Sequence, residues 1–119
     1  NQTGDANTAV GYRALDNNTA DNNTAVGTDA LIANTSGTAN VAVGNLSLDA
    51  NTTGSNNVAF GRSSLGSNTT GGTNSAVGGN ALSLNTEGAQ NTSMGYQSLN
   101  ANTTASNNTA VGYGSFCTS

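Results

Sequence analysis

Residues 40–44 read Asn-Val-Ala-Val-Gly, and this five-residue pattern recurs, with small changes, along the whole chain. The glycine that closes each copy, which we call the anchor glycine, returns once after 16 residues and otherwise after 17. A fixed period of this kind is typical of repeat architectures, in which equivalent positions have equivalent structural roles. The anchor glycines are Gly11, Gly27, Gly44, Gly61, Gly78, Gly95 and Gly112.

Five further positions keep their residue type at a fixed distance from the anchor glycine, and each defines a row. Four residues before it, the first asparagine row comprises Asn7, Asn23, Asn40, Asn57, Asn74, Asn91 and Asn108. Two before it, the alanine row comprises Ala9, Ala25, Ala42, Ala59, Ala76, Ser93 and Ala110. One before it, the valine row comprises Val10, Val26, Val43, Phe60, Val77, Met94 and Val111. Four after it, the leucine row comprises Leu15, Leu31, Leu48, Leu65, Leu82, Leu99 and Phe116. Seven after it, the second asparagine row comprises Asn18, Asn34, Asn51, Asn68, Asn85 and Asn102.

A cut before each member of the second asparagine row divides the chain into seven units with no residue left over. We therefore interpret residues 1–119 as a single repeat domain. Because Asn1 is not a natural start, we expect this domain to be a segment of a longer fibre. The units are 1–17, 18–33, 34–50, 51–67, 68–84, 85–101 and 102–119.

The length and composition of the unit predict an all-β fold. A helical repeat needs about 34 residues, and Asn, Thr, Gly and Ser are poor helix formers. The residues before the anchor glycine alternate as in a strand, and the glycine permits a sharp bend. We predict a parallel β-solenoid, or β-roll, in which each unit closes one coil of two short strands and two turns. Seven coils at about 4.8 Å each would rise roughly 34 Å.

The two sides of the predicted strand leave two arrangements of the core open. In the first, the valine row faces the leucine row inside the coil, and the alanine row lies outside as a smooth chain–chain interface. In the second, the interior is so narrow that it admits only the alanine methyl groups. The predicted core is the valine and leucine rows. The candidate interface residues are Ala9, Ala25, Ala42, Ala59, Ala76 and Ala110.

The composition excludes most functional classes. Asn, Thr, Ala, Gly and Ser fill 85 of the 119 positions, and the chain has no His, one Cys and two basic residues. A catalytic centre or metal site needs groups that are missing here, and phosphate-driven nucleic-acid binding needs a basic patch. We therefore expect no enzyme activity, no cofactor, no metal, no nucleic-acid partner and no membrane span. The lone Cys117 is a buried small residue, a free thiol or a link between chains.

Three surface features suggest binding functions. A row of Thr that follows the second asparagine row is a candidate ice-binding array. Tyr12, Tyr96 and Tyr113 follow anchor glycines and are candidates for contact with sugars. Sequons of the form Asn-x-Ser/Thr are frequent, although a chain of this composition also produces them by chance. The candidate glycosylation sites in the repeat register are Asn34, Asn51, Asn68 and Asn102.

The stretches 91–104 and 108–116 resemble the tandem repeats of phage tail-fibre and related bacterial surface proteins. The Ser/Thr-x-Ala-Val-Gly element is also similar to the head repeat of trimeric autotransporter adhesins, a left-handed parallel β-roll of three chains. The resemblance covers all seven units. It implies an oligomeric extracellular fibre on a virion or cell surface, trimeric if it follows the adhesins, and supplies no catalytic residues.

The sequence therefore predicts a structural and adhesive segment of an extracellular fibre or filament. Its partners would be copies of itself and cell-surface glycans. The alternative is an ice-binding or glycan-binding solenoid module.

Overall fold

A computed structural model describes residues 2–116 and shows an all-β chain. Each unit contributes one strand of three residues, which ends directly before the anchor glycine. The strands form a single parallel sheet in chain order, so each inner unit pairs with the unit before it and the unit after it, and the first and last strands are the edges. The strands are β1 (Thr8–Val10), β2 (Thr24–Val26), β3 (Val41–Val43), β4 (Val58–Phe60), β5 (Ser75–Val77), β6 (Thr92–Met94) and β7 (Thr109–Val111).

The strand register confirms the β-solenoid. Val43 is paired with Phe60, and Phe60 is paired with Val77, so equivalent residues of successive units lie over one another. The molecule measures 40 × 22 × 16 Å, and its long dimension agrees with seven stacked coils. Each period of about 17 residues therefore closes one coil of the stack.

The rest of each coil is made of turns, and the second strand that we predicted is absent from residues 2–116. The chain reverses through residues with positive φ. The anchor glycines have φ between 123° and 136°, and leucine-row residues have φ between 50° and 55°. The left-handed region costs a leucine roughly 1–2 kcal/mol, so this conformation must be held by the stack. Leu31, for example, donates its backbone N–H to the carbonyl of Ser47 in the next coil.

In the structure the alanine row points into the coil and the valine row points outward, which is the reverse of the first predicted arrangement. Ala25, Ala42, Ala59 and Ala76 are fully buried, and Ala110 is nearly so. The valine row faces outward. Its members that are about half-exposed or more are Val10, Phe60, Met94 and Val111, and Val26, Val43 and Val77 are partly exposed. The prediction that the valine row forms the core is therefore wrong.

The prediction that the alanine row forms an interface between chains is also wrong where the row is buried, because a fully buried methyl group cannot touch another chain. Only Ala9, in the first coil, is exposed. The physical reason for both errors is the narrow coil, whose smaller dimensions are 22 and 16 Å. Interiors are packed to a fixed density, so a coil this thin holds a methyl group opposite each leucine and excludes a second large side chain.

The leucine row was predicted correctly. Leu15, Leu31, Leu48, Leu65 and Leu82 are fully buried, and Leu99 is nearly so. Phe116, in the last described coil, is 72% exposed, so its assignment to the core is wrong. No described coil stacks on that side of Phe116 to cover its ring.

A row of small residues three positions after the anchor glycine completes the apolar interior. Ala30 and Ala81 are fully buried there, as are Ser47 and Ser64, whose hydroxyl groups donate to the carbonyls of their own anchor glycines. Each buried hydroxyl thus has a partner, which removes the cost of burying it. The predicted core did not include this row.

The two asparagine rows form a hydrogen-bonded amide network inside the coil. In the second row, the Nδ2 group of Asn51 donates to Oδ1 of Asn34 at 2.8 Å and to the carbonyl of Gly54 at 3.0 Å. In the first row, Oδ1 of Asn40 accepts the backbone N–H of Asn57 at 3.0 Å. The donor and the acceptor of these amides are therefore both used, which is how a polar interior becomes stable.

Candidate functional site

The outer side of the sheet is exposed in most of the described coils. It consists of the valine row and of the first residue of each strand, and we call it the strand face. Phe60 is 55% exposed and Met94 46% exposed, which is high for large apolar side chains on a regular strand. The first residues of the strands are Thr8, Thr24, Val41, Val58, Ser75, Thr92 and Thr109.

The strand face carries no charge, since its residues are Val, Phe, Met, Thr and Ser only. In-register parallel pairing aligns its side chains in two straight rows along the long dimension of the molecule. The valine row is apolar, whereas five of the seven first residues of the strands are Thr or Ser, so an apolar row lies beside a row that is mostly hydroxyl-bearing. The arrangement can bind another apolar surface, and it offers nothing that would hold a charged ligand.

The candidate glycosylation sites lie inside the coil. Asn34, Asn51 and Asn68 are fully buried, and their Nδ2 groups donate to two acceptors each. Asn102 is partly exposed, and its Nδ2 group donates to Asn85 and Ala105. A glycan on Nδ2 needs open space around the nitrogen, so the folded coil argues against glycans at these positions.

Other sequons lie on the surface. Asn17, Asn22, Asn45 and Asn107 are exposed, each two residues before a Ser or Thr. Asn17 and Asn45 donate to carbonyls of neighbouring coils. The sequence pattern is the same at buried and exposed sequons, and only the fold separates the two groups.

The threonine row that follows the second asparagine row uses its hydroxyl groups within the stack. Thr52 donates through Oγ1 to the carbonyl of Thr69 at 3.1 Å, and Thr69 donates in the same way to Thr86. These hydroxyl hydrogens are therefore directed along the coil axis rather than toward solvent. This geometry weakens the case for the row as an ice-binding array.

Two groups of aromatic residues lie at the surface. The rings of Tyr96 and Tyr113 stack with centroids 5.5 Å apart and an angle of 20° between their planes. The guanidinium group of Arg13 lies over the ring of Tyr12, with 5.1 Å between Cζ and the ring centroid. Tyr96 and Tyr113 therefore stack across neighbouring coils, whereas Tyr12 contacts Arg13 of its own coil, and all three rings are exposed.

Charged groups are sparse, and one pair of them links two coils. Arg13 forms two hydrogen bonds with the Asp29 carboxylate, at 2.7 and 2.9 Å, which link the first two coils. This pairing holds the pKa of Asp29 below its ordinary value. Burial raises the pKa of the Asp49 carboxyl, and the nearby negative charge of Asp29 adds to the rise.

A cavity of about 290 Å³ opens at the end of the last described coil. Leu99, Asn102, Asn108 and Phe116 line it, so it is the uncovered interior of the coil. It brings together the last described members of the leucine row and of both asparagine rows. The cavity shows what one coil presents to the next.

Residues 2–116 contain no group of three or more side chains suited to a metal ion. None of their structure is a helix of the length and apolarity that a membrane crossing requires. Cys117 lies outside the described residues, and so does Asn1.

No family model, no curated protein and no solved structure matches the chain. The class is therefore defined by the fold alone: a parallel β-solenoid repeat protein with an interior of alanine, leucine and asparagine rows.

Proposed function

We propose that this chain is a structural segment of an extracellular fibre or filament. The single observation that supports this proposal most strongly is the continuous axial bonding of the stack. Backbone hydrogen bonds and the two asparagine rows join each coil to the next along the described chain, residues 2–116. Such a stack has a constant cross-section, and its length grows with the number of coils.

The chemistry of the surface supports a mechanical role. The residues of the strand face and of the turns offer amides, hydroxyls and small apolar groups, with 7% of the chain charged. A rod with these properties spaces or displays a binding element at a distance from a virion or cell surface. The likeness of the repeat to phage tail-fibre and surface-adhesin repeats fits this role and suggests adhesion to cell-surface glycans.

Negative-stain electron microscopy tests the proposal on the 119-residue chain and on a tandem duplication of it, which has twice the coils. We expect rods of constant width whose length doubles with the number of coils. A compact particle that widens as coils are added would contradict a fibre role.

The ice-binding alternative predicts a flat array with uniform side chains. In the valine row, Phe60 and Met94 interrupt the valines, and the threonine row directs its hydroxyls along the axis. The structure therefore gives this alternative less support than the fibre, and a thermal-hysteresis assay distinguishes them.

A further inference from the structure

We propose that Asn22 and Asn107 are attachment sites for N-linked glycans. The proposal goes beyond the fibre function and rests on its extracellular setting, because secreted chains pass the enzymes that glycosylate asparagine. It concerns other positions than the four that the repeat register suggested, since those four side chains belong to the hydrogen-bonded second asparagine row.

Both residues occupy the position five residues before the anchor glycine, which we call the outer turn position. This position is exposed in every described coil, and its backbone has φ between 55° and 63°. Alanine, threonine and glutamine hold the same backbone angle there, so the coil does not require an asparagine at this position. The members of the outer turn position are Ala6, Asn22, Ala39, Asn56, Thr73, Gln90 and Asn107.

The side-chain amides of Asn22 and Asn107 form no hydrogen bond with the described residues 2–116, and only their backbone N–H groups donate to the coil before them. The other exposed sequon asparagines of the described chain differ in this respect. Asn17 and Asn45 direct Nδ2 at carbonyls of a neighbouring coil, at 2.9 and 3.2 Å. A sugar replaces one hydrogen of Nδ2 and needs room beside the nitrogen, so Asn22 and Asn107 can bear one while the coil stays undisturbed.

The hydroxyl that completes each sequon also lies on the outer side of the coil. Thr24 and Thr109 are the first residues of β2 and β7, and they belong to the strand face. Thr109 is exposed, and Thr24 is partly exposed. The residue between, Asn23 or Asn108, belongs to the first asparagine row. The two side chains that define a sequon are therefore both accessible at these sites.

The modification is a glycosyl transfer from a sugar that is carried on a diphosphate. Nδ2 forms a bond to the anomeric carbon of the sugar, while the bond from that carbon to the phosphate oxygen breaks. The diphosphate leaves with the electron pair of that bond, and Nδ2 gives up one proton to a base of the transferase. The step needs no oxidant or reductant, so access to the nitrogen is what selects the site.

Secretion of the full chain from yeast tests the proposal. Peptide-N-glycosidase treatment in heavy-oxygen water marks each glycosylated asparagine for mass spectrometry of the peptides. We expect the secreted protein to carry glycans on Asn22 and Asn107 and none on Asn51 or Asn68, which are fully buried. Asn22→Gln and Asn107→Gln should each remove one glycan and keep the fold, because Gln90 already holds the same position.

Val58→Thr is a matched gain-of-site variant. It turns the stretch 56–58 into a sequon at the outer turn position of a middle coil, and threonine is already the first residue of other strands. We expect one further glycan, on Asn56, and none in the control Val58→Ala. A secreted chain with a β-type circular dichroism spectrum that leaves Asn22 and Asn107 unmodified would overturn the proposal, as would equal occupancy of Asn51.

A second measurement does not depend on secretion. The folded chain from bacterial cytoplasm is treated with a soluble sequon-specific glucosyltransferase and nucleotide-activated glucose. Glucose on Asn22 and Asn107 supports the proposal, whereas a folded chain that leaves both unmodified, or takes up as much on Asn51 and Asn68, contradicts it. Rods of the unglycosylated chain in the microscope would then leave the fibre function in place, and glycans without rods would count against the fibre alone.

Discussion

At the scale of single residues, asparagine is the residue that makes this interior possible. Its side chain carries a donor and an acceptor on a short stem, so one amide can form two hydrogen bonds with a neighbouring coil. Oδ1 of Asn57 accepts the backbone N–H of Asn74, and Nδ2 of Asn57 donates to the carbonyl of Gly71. A polar side chain thus fills space that a conventional core gives to an apolar one.

Replacing Asn57 by alanine should destabilise the fold. The change leaves the buried N–H of Asn74 without an acceptor, at a cost of about 1–3 kcal/mol. Thermal unfolding should show a lower Tm, by roughly 4 °C per kcal/mol for a chain of this size. Thr53→Ala, at an exposed turn, is the control, and an equal Tm for the two variants would show that the amide network contributes nothing.

Replacing Gly71 by alanine should also destabilise the fold, by about 1–3 kcal/mol for an overpacked interior. The Cβ would lie 2.4 Å from the carbonyl of Gly88, a backbone atom that cannot move alone. In Gly79→Ala the added Cβ meets only the Tyr96 ring, at 3.3 Å, so this control should be milder in urea denaturation. If the control loses as much stability, the close approach of coils is not the cause.

At the scale of elements, the three-residue strands and the turns depend on each other. The strand alone is too short to be stable, and the turn holds leucines at positive φ, which they rarely adopt in isolation. Stacking makes both favourable, because each turn donates and accepts hydrogen bonds across the coil boundary. The carboxyl group of Asp49 is an exception, because its burial in the stack disfavours its charged form.

Asp49→Asn should stabilise the protein at neutral pH. Burial raises the pKa of Asp49 in the folded state, so the fold favours the protonated form and loses stability as pH rises through that pKa. The gain should be less than about 1 kcal/mol, because the group is partly exposed and screened by solvent.

Chemical denaturation of wild type and Asp49→Asn across the acidic range checks this prediction. The difference should shrink as pH falls through the raised folded-state pKa of Asp49, and it should be lost below the ordinary aspartate pKa of about 4. Asp16→Asn removes the same charge from an exposed position in the same register and corrects for net charge. A difference between wild type and Asp49→Asn that does not vary with pH would contradict the assignment to burial.

At the scale of the whole molecule, the solenoid behaves as a one-dimensional stack. Each coil contacts only its neighbours, so stability is a sum of coil terms and interface terms. Middle coils have two neighbours, whereas the first strand is exposed at all three of its residues. Opening should therefore begin at the ends of the stack.

Native-state hydrogen exchange should show this gradient directly. The N–H groups of Val41 and Val58, which donate to coils in the middle of the stack, should exchange far more slowly than that of Thr8. The physical reason is that middle amides exchange only after several coil interfaces open. Uniform protection along the chain would show that the coils unfold as one cooperative unit.

The sequence alone determined the period, the seven units, the parallel stack, the anchor glycines and the buried leucine row, because each of these follows from the spacing of like residues. Which side of the strand faces inward was decided only by the tertiary structure. Alternation along a strand gives two faces but does not orient them, since inverting the strand preserves the pattern. The orientation came from the narrow coil, which has room for Ala42 opposite the leucine row and leaves Val43 outside on the strand face.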